Sequence, residues 1–178
     1  NYVDMALYYA RMDAVYKDYM IAETNLQEVA QQVLLQNKYY LIQSHVKAEV
    51  ACPDTVYSDK KWIAFILNQL IQNSVKYGRS EGTHIQIVTK KTKSGVLLWV
   101  KDDGIGIPKE EIPRIFEKGF TGTNGRNRER STGMGLYLCR KLCDKLNIEI
   151  RAESAEGKGT EIILMFPVSE YLTGYRET

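Results

Sequence analysis

Between Lys60 and Asp102 the hydrophobic period changes once, from helical to alternating, and that change limits the folds open to the chain. The segment "KKWIAFILNQLIQNSVKYG" repeats apolar residues at helical intervals, with Trp62, Phe65, Ile66 and Leu70 on one face. Gln69, Asn73 and Lys76, with Tyr77 alongside, fall on or beside another. Ser58 or Asp59 is placed to cap this helix, and Gly78 to end it. Two strands follow at once, "HIQIVTKK" and "GVLLWVKD", joined by the turn-rich "TKSG". A helix with one apolar face, followed by a hairpin, finds its cover on the sheet that the hairpin begins. Other segments extend this plan. Leu26, Val29, Ala30 and Val33 mark a second helix, which Thr24 with Gln27, or Asn25 with Glu28, can cap. "KYYLIQS" reads as a strand. A helix opens in "GMGLYLCRKLCDKL", and the strands "IEIRAES" and "TEIILMFP" enclose the turn "AEGKG". The expected fold class is α+β: a two-layer α/β sandwich with helices on one face of a mixed, largely antiparallel sheet.

The 178 residues suit one domain plus an appendage, and 24 basic against 22 acidic side chains are too balanced to select nucleic acid as a partner. No apolar run approaches the roughly 20 residues that a bilayer requires. Cys52, Cys139 and Cys143 are an odd count without framework spacing, which points to a reducing compartment and to small core hydrophobes. Cys139 and Cys143 are four apart on a helix, but no third metal ligand is near them in sequence. Tyr2, Met5, Tyr9, Met12, Tyr16 and Tyr19 follow heptad spacing, so residues 1–20 are expected to form a dimer or bundle helix ahead of a domain over 21–178. The chain begins inside that helix, at "NYVDMAL", and is expected to be part of a longer protein.

Three constellations carry chemistry. The polar face of the long helix, Gln69, Asn73, Lys76 and Tyr77, is by itself an ordinary solvated face. In "VKDDGIGIPKEEI", Asp102 sits where a strand ends, Gly104 and Gly106 follow in D-x-G-x-G spacing, and Pro108 stops any helix. Alone this is a turn. Glycine also permits close backbone approach, and a carboxylate there can accept from the exocyclic amine of a flat ligand. Third, "STGMGL" (Ser131 to Leu136) opens a helix whose glycine-rich start offers free N–H groups to phosphate. The polar "FEKGFTGTNGRNRERS" before it contains Gly119, Gly122 and Gly125 and suits a mobile nucleotide lid.

Taken in order and spacing, these segments resemble the ATP-binding domain of histidine kinases, which shares the Bergerat fold with gyrase, MutL and the heat-shock chaperones. The N box corresponds to "NQLIQNSVKY", the G1 box to "DDGIGI", the F box to "IFEKGF", the G2 box to "GMGL", and a last glycine-threonine motif to "GKGT" at Gly157 to Thr160. The resemblance covers about residues 21 to 168. It implies that Asp102 binds the adenine amine, that Gly104 and Gly106 let the base lie against the strand end, and that Ile107 lines the pocket. It implies Asn73 as the Mg²⁺ ligand, Lys76 toward the phosphates, and Tyr77 on the purine or ribose. Gly133, Met134, Gly135 and Leu136 would form the phosphate-binding G2 segment, Thr160 would support the adenine end, and Lys118 would serve as a lid cation.

The implied activity is transfer of the γ-phosphate of ATP to a histidine, for relay to a response regulator. The full-length protein would be a homodimer. "YVDMALYYAR" and "STGMGLYLCRKLCDKL" further resemble BceS-like sensors, intramembrane-sensing kinases paired with peptide-antibiotic ABC transporters. That implies a cytoplasmic domain of a cell-membrane protein. Three departures matter. The G2 box carries Ser131 where the family has another glycine. Gln69 stands where the hydrolysing relatives use glutamate, and a neutral amide cannot act as a general base. Neither His45 nor His84 is followed by an acid, or by a proline five residues on, so the acceptor histidine is expected on a helix outside this chain. Two other readings stay open: an ATPase clamp, and a degenerate scaffold that keeps the fold without binding nucleotide.

Overall fold

A computed structural model describes residues 19–122 and 133–168. The seam residues Tyr2 to Tyr16 and the departure at Ser131 lie outside the described residues.

The chain enters through β1 (Ala22–Asn25), then α1 (Leu26–Gln36), α2 (Lys38–Gln43), β2 (Val46–Ala51), β3 (Thr55–Ser58) and α3 (Lys60–Lys76). Next come β4 (Thr83–Thr92), β5 (Gly95–Asp102), a 3-10 turn at Ile112–Arg114, α4 (Gly135–Lys145), β6 (Glu149–Ser154) and β7 (Thr160–Pro167). Five strands form one sheet in the order β2-β4-β5-β7-β6, parallel between β2 and β4 and antiparallel elsewhere. β1 and β3 form a separate antiparallel pair. This is the α+β architecture expected, with a mixed, largely antiparallel sheet.

The long helix is α3, and it lies between α1 and α4 against β4 and β5. Asp59 caps it, accepting from Trp62 N at 3.1 Å, while its other oxygen accepts from Met20 N at 2.8 Å. Ile63, Ile66, Leu67 and Ile71 are fully buried, each stabilising the fold by about 1.5–3 kcal/mol relative to exposure. They meet Ile85, Ile87, Leu98, Val100 and Leu164 from alternate positions of the sheet. Of the two caps open to α1, the structure uses Asn25, which accepts from Glu28 N at 3.1 Å. Thr24 turns inward, its one hydroxyl proton shared between Ala22 O at 3.0 Å and Ser58 O of β3 at 3.2 Å.

One element differs from the sequence expectation. "KYYLIQS" is helical, not a strand: α2 follows α1 after a break at Asn37. Asn37 Nδ2 donates to Val33 O and to Asn68 Oδ1, both at 2.8 Å, and so bolts the break to α3. Only Leu41 of α2 is buried, a pattern that one helical face satisfies and an alternating strand does not. The edge strand is instead β2, whose Val46, Ala48 and Val50 alternate with exposed Lys47, Glu49 and Ala51. His45, at φ 56°, makes the reversal between them.

Register sets the site. At one end of three adjacent strands, Asp102 of β5 pairs with Thr160 of β7, which pairs with Ser154 of β6.

Candidate active site

A cavity of about 370 Å³ opens between the second half of α3, the segment after β5, the loop around Phe120 and the start of α4. Asp102 occupies its wall at the strand end. Its Oδ2 accepts from Ser74 Oγ at 2.8 Å and its Oδ1 from Gly104 N at 2.9 Å. Burial pushes this carboxyl above its ordinary value, against the opposing pull of the Gly104 N–H and the Ser74 hydroxyl. The site thus holds a partly desolvated acceptor that is hydrogen-bonded from behind.

The glycines of the G1 segment have reasons inside the protein. A Cβ on Gly104 would lie 2.5 Å from Tyr77 O, and Ile105 N donates to that same carbonyl at 3.0 Å. Gly106 has φ 75°, and a Cβ there would lie 2.1 Å from Ala155 O. The segment is therefore pinned between the C-cap of α3 and the β6–β7 turn, which fixes where Asp102 points. Ser154 adds a third anchor, accepting from Ile107 N at 2.9 Å and donating to Gly159 O at 2.7 Å. Arg79 donates to Asp103 O at 2.9 Å and to Gly157 O, holding the same two loops together.

α3 supplies Gln69, Gln72, Asn73, Lys76 and Tyr77 to the cavity, and α4 contributes Gly135 and Leu136 from its first turn. Lys76 Nζ stands 5.5 Å from the centroid of the Tyr77 ring. Met134 stands at the N-cap of α4, and no side-chain cap is seen there among the described residues. Gly119 N donates to Gly133 O at 3.0 Å, which brings these two glycines together at the cavity edge. Ile107, Ile115, Phe120 and Ile162 give the walls an apolar lining suited to a flat ring.

The cavity gathers Asn73, Lys76, Tyr77, Asp102, Gly106, Ile107, Gly133, Gly135, Leu136 and Thr160 from the residues singled out in the sequence. Gly104, Met134 and Lys118 do not line it: Gly104 packs behind Asp102, and Lys118 is exposed. Among the residues in or behind the cavity wall that the motif reading passed over are Ser74, Ser154, Tyr40 and Glu111. Ser74 was legible as a polar residue at an apolar position of α3, eight after Ile66 and four after Leu70. Ser154, Tyr40 and Glu111 carry no comparable local signal. Tyr40 and Glu111 line the cavity, and Glu111 Oε2 lies 2.8 Å from where a Cβ on Gly122 would be. All three cysteines are fully buried, as small core residues.

The family model described as histidine kinase-, DNA gyrase B-, and HSP90-like ATPase matches residues 58–170. The sensor histidine kinase YxdK of Bacillus subtilis (strain 168) is 34% identical over 166 residues, covering 92% of this chain and 51% of the relative. The sensor protein kinase GraS of Staphylococcus aureus (strain JH1) is 37% identical over 171 residues, covering 93% and 48%. The chain thus spans about half the length of the curated relatives it matches. Among solved structures, the nucleotide-free catalytic domain of histidine kinase ThkA aligns with a TM-score of 0.71 at 26% identity, covering 83% of this chain and 95% of that one.

Proposed function

The chain belongs to the histidine kinase-, DNA gyrase B- and HSP90-like ATPase family, and from that membership we propose that it is the catalytic ATP-binding domain of a two-component sensor histidine kinase. One observation carries the proposal: a single cavity joins a buried-side carboxylate and a threonine to Asn73, Lys76 and the start of α4. That combination suits a purine with an exocyclic amine, attached to a metal-bound polyphosphate.

On this reading Asp102 accepts from the adenine amine, with Thr160 beside it and Ile107 and Tyr77 against the ring and ribose. Gly106 and Gly104 hold the segment close to the base. Gly133 and Gly135 bring backbone toward the phosphates, flanked by Met134 and Leu136. Lys76 supplies positive charge, and Lys118 supplies more from the loop. The residues fit Mg²⁺: Asn73 offers one side-chain oxygen, and the described residues contain no cluster of three His, Cys, Asp or Glu. A small hard ion that keeps its waters and takes phosphate oxygens suits such a sparse donor set. When bound, Mg²⁺ neutralises phosphate charge and orients the γ-phosphoryl group.

Gln69 lines the cavity but cannot take a proton from water. The γ-phosphorus therefore awaits an imidazole nitrogen, supplied by a dimerisation helix outside this chain. That nitrogen forms the new P–N bond as the β–γ bridging P–O bond breaks and ADP leaves. Residues 1–20 are then the end of the return helix and 21–178 the catalytic domain. The whole protein would act as a homodimeric membrane sensor with this domain on the cytoplasmic side. A response regulator would receive the phosphate, and a peptide-antibiotic ABC transporter would be its sensing partner. Among the described residues no helix is long and apolar enough to cross a membrane.

Glu111 favours a second reading, an ATPase clamp, because it places a carboxylate in the cavity wall. One experiment separates the two. The chain is mixed with Mg²⁺, γ-labelled ATP and a separately produced dimerisation hairpin. Label moving to the hairpin histidine, and lost with Asn73→Ala, supports the kinase. Multiple-turnover phosphate release without the hairpin, abolished by Glu111→Gln, replaces it with the clamp.

A further inference from the structure

Ser154 does not line the cavity, yet three groups of the site converge on its hydroxyl. Its Oγ lies 2.7 Å from Gly159 O, 2.9 Å from Ile107 N and 2.9 Å from Thr160 Oγ1. A serine hydroxyl has one proton and two lone pairs. Gly159 O can only accept, so it takes the proton. Ile107 N can only donate, so it takes one lone pair. The second lone pair is what remains for Thr160, and Thr160 must therefore donate to Ser154.

Thr160 has only one hydroxyl proton, and this geometry commits it to Ser154. The hydroxyl of Thr160 keeps lone pairs alone for any other partner, including one in the cavity that Thr160 lines. Asp102, its cross-strand neighbour, is fixed the same way: Ser74 Oγ and Gly104 N both donate to it. Asp102 and Thr160, paired across β5 and β7, thus both present acceptors and no donor, and the Ser74 proton beside them is already given to Asp102.

We infer that Ser154 is a specificity-determining residue acting through Thr160: by fixing the Thr160 proton, it makes the wall accept from a base edge bearing an exocyclic amine and reject one bearing a carbonyl oxygen there. This rests on the nucleotide reading above and adds the device that chooses the base. Without the Ser154 hydroxyl, the Thr160 O–H rotates freely and can donate to a carbonyl. The discrimination should then narrow even though no residue of the cavity lining has changed.

Inosine triphosphate probes this effect: it is the size of ATP and carries a carbonyl oxygen in place of the 6-amine. Because it also carries a proton on N1, the change in the ratio between native and variant chains, not the ratio itself, reads the Thr160 proton. Calorimetric titration with Mg²⁺ and each nucleotide gives the ratio of the two Kd values. The native chain should prefer ATP. Ser154→Ala should narrow that ratio by about tenfold, chiefly through gained affinity for inosine triphosphate, the size expected from one hydrogen bond changing sign. Ser154→Thr restores a hydroxyl and should keep the native ratio. Thr160→Val removes the hydroxyl that Ser154 orients and should also narrow it, which keeps the test open should the alanine variant fold poorly. A folded Ser154→Ala that binds both nucleotides more weakly at the native ratio overturns the inference, leaving Ser154 as loop support alone. A native chain that binds neither nucleotide overturns the nucleotide reading itself, and this inference with it.

Discussion

Asp102→Asn separates what the carboxylate does for ligand binding from what it does for folding. The change preserves shape while removing the charge and replacing one acceptor with a donor. Asp102 already accepts from Ser74 Oγ and Gly104 N, so both oxygens are oriented as acceptors before a ligand arrives. An asparagine can turn its oxygen toward Gly104, and Ser74 can rotate its hydroxyl to accept from the amide nitrogen. A ligand amine then meets that nitrogen and loses a hydrogen bond to a charged acceptor, which contributes about 1.5–3 kcal/mol. The expected weakening of Mg-ATP binding is about 10- to 150-fold in Kd.

Folding should move the other way. Burial raises the Asp102 carboxyl, so the folded state holds its proton more tightly than the unfolded chain. Its favourable contribution is complete below the ordinary carboxylate value and is lost as pH rises through the raised one. At neutral pH the native chain therefore carries a desolvated charge that asparagine relieves. The variant should melt no lower than the native chain at pH 7, and the native chain should gain on it as the pH falls toward 4. If Asp102 accepts from the base as proposed, ATP affinity of the native chain should decline over the same fall, as the carboxylate takes up its proton. Calorimetric titration beside thermal melts across pH reads both effects. Unchanged ATP affinity in the variant would refute the role given to Asp102. A binding loss that tracks a collapse in melting temperature would refute the separation.

Gly106→Ala combines a positive φ with a Cβ 2.1 Å from Ala155 O, so it should cost at least about 1–2 kcal/mol, about 2–4 °C of melting temperature for each kcal/mol. A variant melting with the native chain would show that the turn relaxes freely. Asp59→Ala removes both the α3 cap and the acceptor for Met20 N, and should destabilise by about 0.5–2 kcal/mol while leaving Mg-ATP affinity intact, since Asp59 is remote from the cavity lining. Loss of affinity in that folded variant would instead reveal coupling along the helix. Burial pushes the Cys52 thiol up to about 11 and the Cys143 thiol to about 12, with Cys139 also well above its ordinary value. All three should resist a disulfide-exchange reagent at pH 8 until the chain is unfolded, and rapid labelling of the native protein would contradict their burial.

The sequence by itself determined the elements whose signals are local. α3 was legible because its cap, its helical period and its terminating Gly78 lie within one stretch, and β5 because an alternating run ends at the turn that displays Asp102. The motif spacing likewise named about half of the residues that line the cavity, since Asn73, Lys76 and Tyr77 need only a helix to bring them together. Tertiary structure decided what depended on distant partners. Residues 38–44 have strand-forming side chains, yet Asn37 reaching Asn68 and the single buried Leu41 make them α2. β2 reads weakly because an edge strand beside β4 is only half-covered. Ser154 came to the site through pairing with Thr160, and Glu111 and Tyr40 through loops and helices folded over the cavity. Sequence encodes residue type and local period. The direction in which a hydroxyl proton points is set only when strands and turns remote in sequence deliver its acceptors.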